Sequence, residues 1–437
     1  MNLLKKILYI LFLVILLPQF GQNKVQYDYF DWNFIQTKHF DIYYYGEGSN
    51  LIDFIAKQSE DAYDNHSSRM GWKLQNRIAI IIFNSHNDFQ QNNVINTYMY
   101  EGISGVTELY KNRVVIPFDG SLKDFKHVLY HELVHAFIND YLYDGNLRNY
   151  ISNPSNFQIP LWMNEGLAEY LSESWGTNSE MWIRDIAFNA REIPDISRLD
   201  GYLAYRGGQS VWRYIVADRG DEIIAEILKQ LKNQNNLEIA LKSSIGIGIN
   251  SLNTKWKEDL KSRYYDEYNI REDVDLIAKR LTDHVKIGNS YNMAPALSPD
   301  GGRIAIISNK SGNFDIYIIS SDDGSIIKKI ISGERSSEYE EMHILKPGIS
   351  WSPDGRKIAF SAKSGKSDAL FIYDISTSQV VKHRFELEGV FRPVWAPNKD
   401  VIAFIGNNGY SSDIYLFDLV SEKLKNKTND MFSDDHV

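Results

Sequence analysis

A motif of six to eight residues occurs three times in the last third of this chain. Pro295-Ala-Leu-Ser-Pro-Asp-Gly-Gly-Arg-Ile-Ala-Ile-Ile-Ser308 recurs as Ser350-Trp-Ser-Pro-Asp-Gly-Arg-Lys-Ile-Ala-Phe-Ser361. A degraded copy follows as Pro393-Val-Trp-Ala-Pro-Asn-Lys-Asp-Val-Ile-Ala-Phe404. The spacing is 54 residues from Pro299 to Pro353 and 44 from Pro353 to Pro397. Each copy precedes a short β-rich run: Asp315-Ile-Tyr317, Asp368-Ala-Leu-Phe371 and Asp413-Ile-Tyr415. The Pro-Asp-Gly turn between β-branched flanks is a hairpin signal. A period of 40–50 residues with several short strands per unit means propeller blades.

These repeats resemble those of TolB-type, WD-like β-propellers over residues 290–430. Three blades do not close a ring, which normally takes four to eight. Phe432 to Val437 reads as the run-up to another blade, so the expectation is an incomplete, apparently truncated propeller over 286–437.

Upstream, the pattern changes. His39 to Tyr45 alternates, Leu51 to Met70 has helical spacing, and Arg77 to Phe83 is a buried strand. Gly105 to Phe118 reads as a hairpin around Lys111-Asn112, and residues 121–143 as a helix opened by a capping box, Ser121-x-x-Asp124. The span 144–160 is a loop, Leu161 to Ser174 a second helix, and 203–275 largely helical. Strands first and helices later predict an α+β domain over 23–285.

Residues 1–22 read as a signal peptide: Lys5 and Lys6, an apolar run of 11 residues from Ile7 to Leu17, then Pro18, Gly21 and Gln22. Eleven apolar residues are too few to span a bilayer, so no transmembrane helix is expected in the mature chain, which would be exported to the periplasm, cell surface or medium. The chain has no cysteine, so any metal must be held by His, Asp or Glu. A net charge of −10 excludes a nucleic-acid binder. Export without cysteine points to a bacterial chain.

The chemistry concentrates in His131-Glu132-Leu133-Val134-His135. On a helix, positions i and i+4 share a face, so both imidazoles reach one cation. Glu132 is turned about 100° away and flanks the metal without ligating it. Glycine at 138 and histidine at 141 would mark a metzincin; the chain has Ile138 and Tyr141. The segment Asn164-Glu165-Gly166-Leu167-Ala168-Glu169 instead closely resembles the gluzincin, or peptidase MA-like, families, and the resemblance covers residues 35–275. It implies a zincin-like catalytic domain, one Zn²⁺ held by His131, His135 and Glu165, and Glu169 contacting the first histidine. It also implies peptide-bond hydrolysis with Glu132 as the base. The 29 residues between His135 and Glu165 leave open whether Glu165 or Glu169 ligates.

An oxyanion donor from a later helix is a further family trait. Tyr202, Tyr205 and Tyr214 are candidates, with Tyr205 preferred because it precedes Arg206-Gly-Gly-Gln-Ser210, read as a helix entry. Gly105 to Leu109 is nominated as the strand that pairs with an extended substrate. His127 is assigned at most a supporting place beside His131. His39, His66, His86, His284, His343, His383 and His436 are read as structural. The expected function is a secreted zinc metallopeptidase whose propeller binds protein partners or substrate. The alternatives are a catalytically inactive scaffold using the propeller, or a zinc hydrolase of a non-peptide bond.

Overall fold

The computed structural model describes residues 24–437 except 47–48, 96, 110, 144–158, 190–191, 273, 288–290 and 431. The signal segment and the loop after residue 143 therefore lie outside the described residues.

The first domain is built on a five-stranded sheet of order β1-β2-β3-β5-β4. Its strands are β1 (Trp32–Gln36), β2 (Phe40–Tyr45), β3 (Ile78–Phe83), β4 (Val106–Glu108) and β5 (Arg113–Pro117). β2, β3 and β5 run parallel, and β4 and β1 close the edges antiparallel. The Ile-Ala-Ile-Ile-Ile-Phe run of β3 is apolar throughout, as a central parallel strand requires. β1 was not expected from the sequence; four of its five residues are exposed, so no burial pattern marks it.

Helices α1 (Ser49–Met70), α2 (His86–Phe89) and α3 (Leu122–Tyr143) intersperse with the strands. After the undescribed loop come α4 (Leu161–Ser172), α5 (Thr177–Asn189), α6 (Tyr202–Ala217), α7 (Glu222–Gln234), α8 (Leu237–Ile245) and α9 (Ile249–Ile270). α1 and α3 share one apolar core with the sheet and the later helices, centred on Phe40, Phe137, Trp212 and Trp256. α3 starts as a capped helix: Ser121 Oγ accepts from Asp124 N at 3.2 Å. The return half of the expected box comes from a different residue, because Ser121 N donates to Asp119 Oδ1 at 3.3 Å. No helix among the described residues is long and apolar enough to cross a membrane.

From Asn292 the chain is all β. Three four-stranded antiparallel units follow: β6 (Asn292–Leu297) to β9 (Ile326–Ile331), β10 (Glu341–Met342) to β14 (Val380–His383), and β15 (Gly389–Trp395) to β18 (Lys423–Asn426). The second unit carries an extra short strand, β11 (Ile349–Trp351), paired with β12 (Lys357–Ser364). Neighbouring units pack face to face and make an open, unclosed propeller. The recurring motif is the turn inside each unit: Gly301 and Gly355 sit at φ +74° and +67°, where a side chain would strain the backbone. Ser298 and Ser352 bond Asp300 and Asp354 across these turns, so both aspartates serve turn geometry.

The two domains meet through polar contacts. Asn87 Nδ2 donates to Asp368 Oδ1 at 2.9 Å, Ser412 Oγ to Gly120 O at 2.7 Å, and Asn407 Nδ2 to Phe118 O at 3.3 Å. His343 is the centre of the seam. Its Nδ1 lies 3.5 Å from Glu101 and its Nε2 3.0 Å from Asp368. Burial disfavours its charge, but Asp368 and Glu101 outweigh that and hold its pKa up at about 10. Reading His343 as structural therefore misses a buried, charged joint. His86 also lies at the seam, where burial lowers its pKa.

Candidate metal centre and catalytic site

α3 places His131 and His135 on one face, four residues apart. α4 packs across them and delivers Glu165. His131 Nε2 and His135 Nε2 each lie 3.2 Å from Glu165 Oε2 and 3.1 Å from one another. A tetrahedral zinc with bonds of about 2.0–2.1 Å spaces its ligand atoms about 3.3–3.4 Å apart. The three donors thus form one near-equilateral face of such a site. Two imidazole nitrogens and a carboxylate oxygen are also the donor set that zinc favours.

Glu169 sits one turn beyond Glu165. Its Oε1 is 3.0 Å from His131 Nδ1, the ring nitrogen facing away from Glu165. Its Oε2 is 2.8 Å from Arg206 Nη1 and 3.3 Å from His127 Nε2. His127, His131 and Glu169 are close enough to form a second possible metal group. The guanidinium on Glu169 makes that group a poor cation site, since an ion there would face a fixed positive charge. The geometry therefore separates two glutamates that spacing left equivalent: Glu165 faces both Nε2 atoms, and Glu169 orients His131 from behind. Burial by itself would raise both carboxyls, but the histidines beside them hold each well below the usual carboxylate range. His131 is held up at about 10 against its burial by hydrogen bonds to Glu165 and Glu169.

Glu132 lies beside this group and is buried. Thr107 Oγ1, on edge strand β4, donates to Glu132 Oε2 at 2.7 Å. Gly105 is required just before that strand. A Cβ there would lie 2.9 Å from both Glu132 Cγ and Val128 Cγ1. The nominated substrate strand is thus one of the two edge strands of the sheet among the described residues, and it touches the proposed base.

Of the three tyrosines, only Tyr205 stacks on His131, with ring centroids 5.7 Å apart and planes 15° off parallel. Burial, then the charges of Glu165 and Glu132, push its phenol pKa up, so it stays a donor. Tyr202 stacks on Tyr205 and accepts from Arg206 Nε at 3.1 Å. Tyr214 packs against the core, away from the site.

Residues 206–210 are not a helix entry, because α6 begins at Tyr202 and places both glycines inside the helix. A close helix crossing explains this. A Cβ on Gly208 would lie 2.0 Å from Trp162 O, and one on Gly166 2.3 Å from Gly208 C. α6 also staples α4 through Trp212 Nε1 to Met163 O at 3.0 Å and Gln209 Nε2 to Glu169 O at 3.3 Å. Sequence reasoning missed Thr107, Arg206, Gln209 and Trp212. The only available signal was the Arg206/Gln209 spacing of three, which puts both on one face of α6.

The sequence model of the Peptidase MA superfamily matches residues 58–262, and that of the TolB β-propeller domain matches residues 265–436. Residues 58–262 are a Peptidase MA superfamily domain and residues 265–436 a TolB-type propeller domain. Similar solved structures include TolB from Acinetobacter baumannii, at 24% identity over 32% of this chain and 33% of that one, TM-score 0.28. A putative TolB from Agrobacterium tumefaciens matches at 20% identity over 33% of this chain and 50% of that one, TM-score 0.28. The β-propeller domain of the Trilobed protease from Pyrococcus furiosus matches at 18% identity over 32% and 44%, TM-score 0.24. This chain thus spans between a third and a half of the length of those structures. No curated protein matches it.

Arg206 makes a first prediction at this site. Removing its charge leaves Glu169 buried beside His127 and His131 without its fixed counter-ion. Arg206→Met should weaken zinc binding about 10–100-fold, the usual cost of losing a partner behind a ligand. Competition with a chromogenic chelator measures it, and Arg206→Lys should recover part of the loss.

Proposed function

We propose that this chain is a zinc-dependent peptidase of gluzincin type. The observation that carries the reading is the face formed by His131 Nε2, His135 Nε2 and Glu165 Oε2, all 3.1–3.2 Å apart, with Glu132 beside it. Those three side chains would hold one zinc. When bound, zinc lowers the pKa of water and polarises a carbonyl oxygen. Glu132 then accepts the proton of the attacking water as oxygen bonds to the carbonyl carbon. It returns that proton to the amine as the C–N bond breaks. Tyr205, protonated and stacked on His131, donates to the oxygen on which charge develops. Glu169 and Arg206 fix the tautomer and the orientation of His131.

A peptide is favoured over other hydrolysable substrates because β4, beside Glu132, is an edge strand of the sheet among the described residues. Backbone pairing there recognises any extended chain. Residues 1–22 support export of the protein, and the propeller is available for protein contacts. The chain is divided at about residue 285, between α9 and β6.

The test is metal analysis combined with proteolysis. Purified protein should hold one zinc per chain and degrade an unfolded protein such as casein. A strong chelator should abolish cleavage, and added zinc should restore it. Protein that holds one zinc yet leaves unfolded substrates intact would sink the peptidase reading.

A further inference from the structure

Between the two domains lies a cavity of about 100 Å³ that opens to solvent. Pro117, Phe125 and Val128 line it from the catalytic domain, and Leu345, Lys346 and Phe391 from the propeller. None of His131, Glu132, His135 or Glu165 lines it, but it shares elements with them. Asp124 and Val128, both in its lining, precede His131 and His135 along one face of α3 at helical spacing. Ser104 lines the cavity, Gly105 packs on both Val128 and Glu132, and Thr107 bonds Glu132. One helix and one chain segment therefore run from the cavity to the proposed base.

Those apolar side chains form part of the walls, and six of the thirteen polar lining residues are carboxylates. Glu101 and Asp368 are committed to His343, and Asp119 pairs with Lys346 at 3.0 Å. Burial lowers the pKa of His86, so it supplies no charge. Asp124, Glu341 and Glu388 remain; among the described residues none makes an ion pair, and Lys346, His343 and Lys366 respectively act on them from further off. Glu341 is 8% exposed and takes only neutral donors, Gln90 Nε2 and Glu101 N. Burial pushes Glu341 up to about 7 and raises Glu388 as well. A cation entering between the apolar side chains would lie closer to these carboxylates than Lys346, His343 and Lys366 do. Asp124, Ser104 and Leu345 are exposed and stand at the mouth.

We propose that this cavity is a side-chain subsite of the peptidase, walled on one side by the propeller, and that it receives a lysine or arginine side chain of the substrate. The methylene stem lies against Val128, Leu345 and Phe391, and the charged tip reaches the carboxylates. The propeller thereby takes part in choosing the scissile bond. This inference rests on the peptidase reading above.

The experiment is cleavage-site profiling of the full zinc-loaded chain on a diverse peptide library. Lysine or arginine should dominate one position next to the cleaved bond. For matched peptides with lysine or norleucine there, the kcat/KM ratio should fall about tenfold in Glu388→Gln. Leu345→Arg, an exposed change that places a cation in the mouth, should lower the same ratio. Cleavage with no basic preference, or ratios unmoved in both variants, would overturn the subsite while leaving the peptidase reading intact. No cleavage by the zinc-loaded wild type would remove both.

Discussion

Glu132→Gln should keep its zinc and lose about 10³-fold in kcat. The substitution preserves size and removes only the ability to accept a proton. A positioned general base contributes 10²–10⁴-fold in typical enzymes. Three observations place this residue in the upper half of that range. Glu132 is 7% exposed, so bulk water is a poor substitute for it. Thr107 Oγ1 already donates to its carboxylate at 2.7 Å, which fixes the oxygen in place. It also stands outside the three-atom face, so its loss leaves the proposed ligands alone. Steady-state kinetics with metal analysis on the same sample decide the matter. A variant with full activity would remove Glu132 as the base, and one without zinc would place it among the ligands. His135→Ala makes the contrast, since it should lose metal and activity together.

Much of this site was legible because helices convert spacing into direction. The pair His131–His135 needs only a helix to converge on one point, and α3 supplies it. Glu165 and Glu169 share a face for the same reason, but spacing cannot say which one faces both Nε2 atoms. That choice is made by Arg206, which reaches Glu169 from a helix whose sequence position carries no sign of the contact. The propeller units were legible for a related reason, since a turn needing φ > 0 writes Pro-Asp-Gly each time it recurs.

What stayed hidden depends on contacts far apart in the chain. His343 has no partner at helical or strand spacing, yet Glu101 and Asp368 bracket it from two domains. Strand β1 was invisible because an edge strand with mostly exposed residues shows no alternation. The paired glycines of α6 suggested a helix start, since glycine disfavours helix interiors by about 1 kcal/mol relative to alanine. Their cause is the approach of a second backbone, which is absent from any local pattern.

That cause yields the last prediction. On helix propensity alone, Gly208→Ala should stabilise the protein by about 1 kcal/mol. On the crossing it should do the opposite. The added Cβ would lie 2.0 Å from Trp162 O and 2.8 Å from Gly166 Cα, both backbone atoms that no rotamer change can move aside. α4 and α6 must then separate, and overpacking of this kind costs about 1–3 kcal/mol or more. For a domain of this size, a net loss of about 3 kcal/mol lowers Tm by roughly 6–12 °C. The functional effect should exceed the thermal one. α4 carries Glu165 and Glu169, while α6 carries Tyr205 and Arg206, so the crossing sets the distance between the proposed ligand helix and the helix that braces it. A shift of about 1 Å is enough to cost two orders of magnitude in a positioned active site. Gly208→Ala should therefore show a lower Tm, weaker zinc binding and a kcat reduced about 10²-fold in the fraction that stays folded and loaded. Gly201→Ala is the matched control. It replaces the residue that caps α6, where nothing lies within 4 Å of the new Cβ, so its only cost is the φ of +52°. That strain should lower Tm by a few degrees and leave the zinc affinity alone. If Gly208→Ala instead raises Tm, propensity has won and the helices are not held apart by their glycines.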